Sequence, residues 1–145
     1  MLALPIAIAV AGCGSGPGVR WQGPSYRDAE AVAARTGQLV FVYFRSWYMV
    51  DCTQFEEQVL KDPEVLAETE DLVCVALDFD YDRALARQWQ LDDRPAYVIV
   101  DPDEEVLARD QAPITREELL KGMRAAKKAF AGRRGAPVGG NAGKP

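Results

Sequence analysis

The sequence predicts a single α/β domain, a three-layer α/β/α sandwich around a small mixed central sheet. Segments with helical apolar spacing alternate with short runs of β-branched and aromatic residues, in the order α-β-α-β-α-β-β-α. Helices between strands indicate parallel crossovers, and two strands that follow each other late in the chain indicate an antiparallel hairpin. Together these features favour a sheet of mixed direction with helices on both faces.

The first helix and strand have clear local signals. Ser25 and Asp28 have the spacing of a capping box that opens a helix, and Gly37 is placed to end it. Residues 39–44 (LVFVYF) form a continuous apolar run typical of a strand buried on both faces. After a short loop, apolar residues at helical spacing predict a helix that begins near Cys52.

The middle of the chain continues this alternation. Asp62 and Pro63 are an N-cap and a first helical residue, so a second helical piece is expected there. Apolar runs predict strands over residues 72–79 and 95–100, and a helix is expected between them over residues 82–90.

The last elements are a hairpin strand and a helix. A turn over residues 101–104 leads to a returning strand over residues 105–108. Thr115 and Glu118 form a second capping box, which opens the final helix. Residues 131–145 are rich in glycine and proline and lack apolar periodicity, so we expect a disordered tail.

The composition excludes several classes of function. The 145 residues carry a formal net charge of −5, so a nucleic-acid partner, which requires a basic surface, is not expected. The chain has no histidine, which excludes His-dependent nucleophilic catalysis and most zinc sites. Its three cysteines, Cys13, Cys52 and Cys74, lack metal-ligand spacing. We therefore expect neither a metal nor another cofactor.

The N-terminus has features of a bacterial export signal. Residues 2–12 form an apolar run too short to span a bilayer but long enough for a signal-peptide core. The run leads into VAGC at residues 10–13, which resembles a lipobox and predicts a lipid on Cys13, followed by a Gly-rich tether. An ordinary signal peptide and an unprocessed apolar terminus are the alternatives. Residues 1–3 lack the basic start of a signal peptide, so a longer natural N-terminus is a further interpretation.

The order of elements resembles the thioredoxin fold, with a tryptophan-containing loop after the first core strand and an X-Pro before the next-to-last strand. Residues 44–47 (FRSW) match the strand end and motif tryptophan of that superfamily. Residues 61–65 (KDPEV) match a string found in the branch related to the C-terminal domain of DsbD. The resemblance covers about residues 26–126 and implies a thioredoxin fold with its functional site after the first strand.

Members of that branch use two cysteines in a CxxC motif, and the resemblance places one cysteine here. Counted back from Asp62, Cys52 matches the second, resolving cysteine, and Met49 stands where the attacking cysteine would lie. An alignment without an inserted loop residue puts Tyr48 and Asp51 at the two positions instead. The motif is degenerate in both alignments, and dithiol exchange, which needs two thiols, is not expected.

Two other positions have defined roles in the thioredoxin superfamily. The buried acid that helps deprotonate the resolving thiol in thioredoxins is replaced by Val42. Arg94 and Pro95 match the cis-proline element that faces the redox site. The resemblance implies that an extended peptide binds in a groove beside this element. The residues expected to form the groove are Trp47, Tyr48, Met49, Cys52 and Pro95, and Arg94 is expected to bind the peptide beside them.

The cysteines and Trp47 have competing interpretations. A place in the first turn of a helix favours Cys52 as a reactive thiol, whereas a covered position and acidic neighbours favour a structural residue. Cys74, early in its strand, is expected to be a buried apolar residue beyond disulfide reach of Cys52. Trp47 either belongs to the binding groove or packs under the loop as core, with only Tyr48 exposed.

These observations predict a redox-degenerate thioredoxin-family lipoprotein of the bacterial cell envelope, on the periplasmic or extracytoplasmic side. It would bind a protein or peptide beside Pro95 and a membrane through the lipid on Cys13. The alternatives are a monothiol oxidoreductase in which Cys52 forms mixed disulfides, and a structural intermolecular disulfide through Cys52. The expected divisions of the chain are a signal peptide (1–12), a lipidated cysteine and tether (13–24), a thioredoxin-like domain (25–130) and a disordered tail (131–145).

Overall fold

A computed structural model describes residues 18–135 of the chain, and in that range it contains one four-stranded sheet covered by helices. The predicted α/β sandwich is confirmed. The elements in chain order are α1 (Tyr26–Thr36), β1 (Val40–Arg45), α2 (Val50–Phe55), a π-helical segment (Glu56–Leu60), α3 (Pro63–Thr69), β2 (Val73–Asp78), α4 (Arg83–Gln88), β3 (Ala96–Val100), β4 (Val106–Gln111) and α5 (Arg116–Arg134).

The ends of the first and last helices are set by the capping residues that the sequence indicates. Ser25 Oγ accepts a hydrogen bond from the backbone N–H of Asp28, and α1 ends at Gly37, whose φ of 68° is left-handed. At the start of α5, Thr115 and Glu118 form a reciprocal capping box with hydrogen bonds of 3.2 and 2.8 Å. Local side-chain chemistry therefore determines where these helices begin.

The helix expected near Cys52 begins two residues earlier, at Val50. Met49 takes the N-cap position with an extended backbone and no side-chain capping bond. The helix then continues without a break into the π-helical segment, which the sequence pattern did not predict. The wider turn places Val59 and Leu60, at the end of the segment, in the core.

The sheet has the strand order β2-β1-β3-β4, and only its first pair is parallel. β3 runs antiparallel to β1, and β4 antiparallel to β3. The expectation that both helical connections are parallel crossovers is therefore wrong for the connection through α4. A helix of six residues rises about 9 Å, less than half the roughly 20 Å of a six-residue strand. β3 consequently starts at the same end of the sheet at which β2 terminates, and runs back antiparallel to β1.

The alternating residues of β1 connect two hydrophobic clusters, one on each face of the sheet. Phe41 and Tyr43 point toward the face covered by α2, α3 and α5. Val40, Val42 and Phe44 point toward the face covered by α1 and α4. Because side chains alternate along a strand, this one strand is buried on both sides, as its continuous apolar run predicts.

The chain between Gly18 and α1 does not behave as the flexible tether expected for residues 13–24. Trp21 forms a parallel β-bridge with Cys74, and the N–H of Gln22 donates to the Cys74 carbonyl at 2.6 Å. The Trp21 ring also stacks on Tyr43, with ring centroids 5.9 Å apart. The stacking of Trp21 on Tyr43 and the bridge to Cys74 hold residues 19–22 along the edge of β2.

The last helix extends four residues beyond Phe130, into the segment expected to be a disordered tail. Arg133 forms ion pairs with Glu105 and Asp101, and the guanidinium carbon of Arg134 lies 5.2 Å from the centroid of the Phe130 ring. These contacts stabilise the final turn, and basic residues there also complement the helix dipole.

The expected signal peptide, the lipid site at Cys13 and most of the C-terminal tail lie outside the described residues. Within residues 18–135, no helix has the length and apolar character needed to cross a membrane.

Candidate functional site

The candidate site lies at the end of the sheet formed by the C-terminal ends of β1 and β2 and the N-terminal end of β3. Cys52 is the third residue of α2, and its side chain is fully buried, with 0% of its surface exposed. The backbone N–H of Ser46 donates to Cys52 Sγ at 3.4 Å, and the N–H of Met49 donates to the Ser46 carbonyl at 3.1 Å. The turn between β1 and α2 therefore covers the thiol instead of presenting it to solvent.

The surroundings of Cys52 favour a neutral thiol. Burial is the largest influence and raises the pKa of Cys52 above its ordinary value, and the negative charge of Glu56 acts in the same direction. The Ser46 hydrogen bond and the positive charges of Arg45 and Arg94 lower this pKa, but the net shift is upward. Reactivity depends on the thiolate, so burial and the raised pKa both disfavour attack by this sulfur.

The second described cysteine cannot serve as a partner for Cys52. Cys74 is 1% exposed, and burial raises the pKa of its thiol to about 12. It precedes the end of β2, Asp78, by four residues, or about 13 Å along the strand. A disulfide needs Cα atoms within about 7 Å, and both described cysteines are free.

Glu56, four residues after Cys52, has a side chain that is already paired. Its side chain pairs with Arg45 at 2.8 Å and accepts a hydrogen bond from the Tyr43 hydroxyl at 3.1 Å. Val42, where thioredoxins carry a buried acid, is completely buried between its neighbours in the sheet. Within residues 18–135, no carboxylate is hydrogen-bonded to Cys52 Sγ.

Asp80 connects the loops that surround the site. It accepts hydrogen bonds from the Tyr48 hydroxyl at 2.6 Å, from Ser46 Oγ at 3.3 Å and from Arg83 Nη2 at 3.0 Å. These bonds, that of Tyr48 foremost, hold the pKa of Asp80 below its ordinary value. Asp80 thus joins the loop after β1 to the loop after β2 as an ionised acceptor.

Arg94 extends this network to the loop before β3. Its Nη2 donates to the Tyr48 hydroxyl at 3.1 Å and lies 3.8 Å from Asp80 Oδ1. The guanidinium carbon also lies 4.8 Å from the centroid of the Phe79 ring. The Arg94–Pro95 peptide bond is cis. The arginine side chain is therefore held on the Asp80 side of the site.

Trp47 and Tyr48 are both on the surface. Their exposed fractions are 76% and 56%, and their rings meet edge to face with centroids 5.6 Å apart. The alternative in which Trp47 packs under the loop as core is therefore wrong. Two more exposed apolar side chains lie nearby in sequence, Val50 at the start of α2 and Tyr81 beside Asp80.

An open groove of about 440 Å³ lies beside Pro95, between α2 with its π-helical segment and the loops before β3 and α5. Of the five residues expected to form a groove, Pro95 lines it. Trp47, Tyr48, Met49 and Cys52 do not. The lining residues are Asp51, Gln54, Phe55, Gln58, Val59, Asp93, Pro95, Ala112, Pro113 and Ile114.

The groove and the Asp80 network contain residues that the sequence pattern did not single out. Asp80 is the middle aspartate of the string DFDYD, and nothing local distinguishes it from Asp78 or Asp82. Its position two residues after the end of β2 was the one available signal, because polar side chains collect where neighbouring strands end.

Comparisons with known proteins agree with this architecture. A family model described as thioredoxin-like matches residues 20–102. The fold is similar to a thioredoxin from Thermus thermophilus, with 28% identity, 87% of this chain and 99% of that chain covered, and a TM-score of 0.68. It is also similar to a DsbH oxidoreductase, with 17% identity, 81% and 92% of the two chains covered, and a TM-score of 0.62.

A third similar structure is a disulphide isomerase from Xylella fastidiosa Temecula1, with 21% identity and a TM-score of 0.51. The match covers 74% of this chain and 87% of that chain. Among curated proteins, none matches the sequence significantly.

Proposed function

This chain belongs to the thioredoxin-like family, and from that premise we propose that it binds an extended protein or peptide segment in the groove beside Pro95 without dithiol exchange. The proposal places it in the bacterial cell envelope, anchored by a lipid on Cys13. It assigns the chain to the branch related to the C-terminal domain of DsbD, with a degenerate CxxC motif. The proposed function is therefore binding of a polypeptide segment by a domain that has the fold of a disulfide oxidoreductase.

One observation carries this proposal. The thiol of Cys52 is completely buried, whereas the groove beside Pro95 is open and the aromatic rings of Trp47 and Tyr48 are exposed on the turn between β1 and α2. A preformed cleft with apolar walls and exposed aromatic side chains are each typical of surfaces that bind protein segments. Burial and a raised pKa both disfavour attack of the Cys52 thiol on a disulfide.

The position of Met49 supports the loss of dithiol chemistry. Met49 is the N-cap of α2, three residues before Cys52, which is the spacing between the two cysteines of a CxxC motif. A thioether has no ionisable proton and cannot act as the attacking thiolate. Cys52 then lacks the partner with which it would form or release a disulfide.

A second candidate function is monothiol exchange, which the hydrogen bond from the Ser46 N–H to Cys52 Sγ favours because it stabilises a thiolate. In that reaction the Cys52 thiolate attacks one sulfur of a disulfide such as oxidised glutathione. A new S–S bond forms, the old one breaks, and the second sulfur leaves as a thiolate. The step requires the turn over Cys52 to open.

Alkylation of Cys52 as a function of pH separates the two functions. The protein is used with Cys13→Ser, and the Cys52→Ser variant of that protein reports the contribution of Cys74. The binding proposal predicts that iodoacetamide adds to Cys52 only after unfolding in urea, as seen by intact mass. Rapid labelling of the folded protein, with a midpoint below the free-thiol pKa of about 8.5, would establish the monothiol function instead.

Selection from a displayed library of random, cysteine-free peptides tests the binding directly. Gln54 lies on the groove side of α2, so Gln54→Trp is expected to fill the groove and abolish capture of the selected peptides. Thr53→Trp is the matched control, because Thr53 is exposed on the same helix and does not line the groove. Equal capture by the two variants would contradict a binding site in this groove.

A further inference from the structure

The groove beside Pro95 has the shape of a peptide cleft. Its volume of about 440 Å³ lies within the roughly 300–1,000 Å³ typical of ligand sites. Apolar and proline residues form much of its wall, and they come from three separate parts of the chain. These residues are Phe55, Val59, Pro95, Ala112, Pro113 and Ile114.

The charged residues of the groove are all acidic. Asp51 and Asp93 line it from opposite elements, α2 and the loop before β3, and Gln54 and Gln58 supply neutral polar groups. Within residues 18–135, no lysine or arginine lines this groove, and neither aspartate is part of an ion pair. A cation in the groove would meet two carboxylates and no repelling charge.

The backbone positions of both aspartates are fixed before any ligand arrives. Asp51 is the second residue of α2, so the helix fixes its backbone. The loop that carries Asp93 is fixed to β4, because Gln111 Oε1 accepts hydrogen bonds from the N–H groups of Asp92 and Asp93 at 2.7 and 3.3 Å. Asp93 Oδ1 also accepts from the N–H of Arg94 at 2.8 Å. Preorganised groups bind with a smaller entropic cost.

The nearest basic residue in sequence is withdrawn from the groove. Arg94 directly follows Asp93, but its guanidinium is held by Tyr48, Asp80 and the Phe79 ring on the other side of the site. The carboxylate of Asp93 is therefore not neutralised by its neighbour.

We propose that the groove selects segments in which a lysine or arginine is flanked by apolar residues. The cation sits between the carboxylates of Asp51 and Asp93, and the flanking apolar side chains pack on Pro95, Pro113 and the helix. This specificity rests on the proposed function of the same groove. It concerns which segments bind, and the binding itself is tested separately.

The test uses the cysteine-free random peptide library in 0.05 M salt with three proteins, the wild type, the double variant Asp51→Asn with Asp93→Asn, and a control double variant. The control is Asp92→Asn with Asp103→Asn, two exposed acids that do not line the groove. Both double variants change the net charge equally, so an effect of overall charge appears in both. Asparagine keeps the Oδ1 acceptor for the Arg94 N–H.

The peptides that matter are those that the wild type captures and the Gln54→Trp variant does not. Among them we expect lysine and arginine to be enriched over aspartate and glutamate. A synthetic peptide of that class should bind about tenfold more weakly to the Asp51→Asn, Asp93→Asn variant, because two exposed ion pairs are lost. The control variant should bind it as the wild type does. The difference should shrink in 0.5 M salt, because salt screens exposed charges.

The outcomes separate the two proposals. Groove-dependent peptides without a basic preference, or with equal weakening by both double variants, overturn the specificity and leave groove binding intact. A library that yields no peptide sensitive to Gln54→Trp contradicts the proposed function itself.

Discussion

The hydroxyl of Tyr48 donates a 2.6 Å hydrogen bond to Asp80 Oδ2, which ties the turn over Cys52 to the loop that follows β2. The same hydroxyl accepts from Arg94 Nη2, so a single exposed phenol joins all three loops of the site. Ser46, whose N–H contacts the buried sulfur, also donates its hydroxyl to Asp80. The cover over Cys52 is consequently held by side chains well separated in sequence.

Tyr48→Phe should raise the pKa of Asp80 toward its ordinary value, because the Tyr48 hydrogen bond is the largest influence that lowers it. The carboxyl carbon of Asp80, followed by NMR through an acid titration, measures this shift. Tyr81→Phe is the matched control, since Tyr81 is 89% exposed and not hydrogen-bonded to Asp80 through its hydroxyl. An unchanged Asp80 titration in Tyr48→Phe would contradict the contact.

Stability should fall in acid through the ion pairs between α3 and α5. Arg116 holds the pKa of Asp62 below its usual range, and Lys127 does the same for Glu68. A depressed folded pKa gives stability that is present above the unfolded values of 3.8 and 4.5 and is lost as the pH falls through the lower folded values. Urea unfolding at a series of pH values from 7 to about 2.5 measures this loss.

The Asp62→Asn variant should show a shallower fall of unfolding free energy in acid than the wild type, because one of the titrating groups is removed. Its amide oxygen still caps α3, which separates the charge from the cap. Asp103→Asn, an exposed acid outside these ion pairs, should keep the wild-type slope. Identical slopes in all three proteins would show that Asp62 does not contribute.

Trp47→Ala should change the free energy of unfolding by no more than about 0.5 kcal/mol, because the ring is 76% exposed. Phe44→Ala, at a fully buried position three residues earlier, should cost about 3–5 kcal/mol. Urea denaturation of the two variants gives both values. A loss of several kcal/mol on removal of Trp47 would mean that its ring packs as core.

Cys52→Ala should destabilise the protein by about 1 kcal/mol, and Cys52→Ser by more, because serine places a hydroxyl where an apolar sulfur is fully buried. The free energies of unfolding of the two variants in urea show whether water reaches the site. A serine variant as stable as the alanine variant would indicate that water reaches this position.

Lipid attachment is expected at Cys13. In a bacterial host fed labelled palmitate, the full chain should incorporate label and fractionate with membranes, and Cys13→Ser should lose both properties. Cys74→Ala serves as the control because its thiol is buried in β2 and the variant adds no polar group to the core. Labelling that survives Cys13→Ser would rule out this anchor.

Short-range patterns predicted the elements, and long-range contacts decided the site. The caps at Ser25 and Thr115 and the run that forms β1 each act within a few residues, so the sequence alone indicates them. The direction of β3 depends on how far a short α4 carries the chain, which local signals do not contain. The fold class was therefore predictable, but the direction of one strand was not.

Most of the residues that line the groove could not be predicted from local sequence patterns. Its lining combines Asp51, Asp93 and Pro113, which lie far apart in the sequence. The family resemblance pointed to Pro95 and to the loop before α2, but it did not reveal that the loop residues lie outside the groove. That arrangement depends on the angle of α2 against the loops before β3 and α5.

The bridge between Trp21 and Cys74 has a consequence for self-association. β2 lies at one end of the sheet, where unpaired backbone groups would offer a template for another chain. The segment leading into α1 covers part of the exposed edge of β2. The other edge strand, β4, carries the charged residues Arg109 and Asp110. On a crowded surface, where neighbouring copies collide often, this covered edge and these charges would discourage the strand-to-strand pairing from which fibrous aggregates grow.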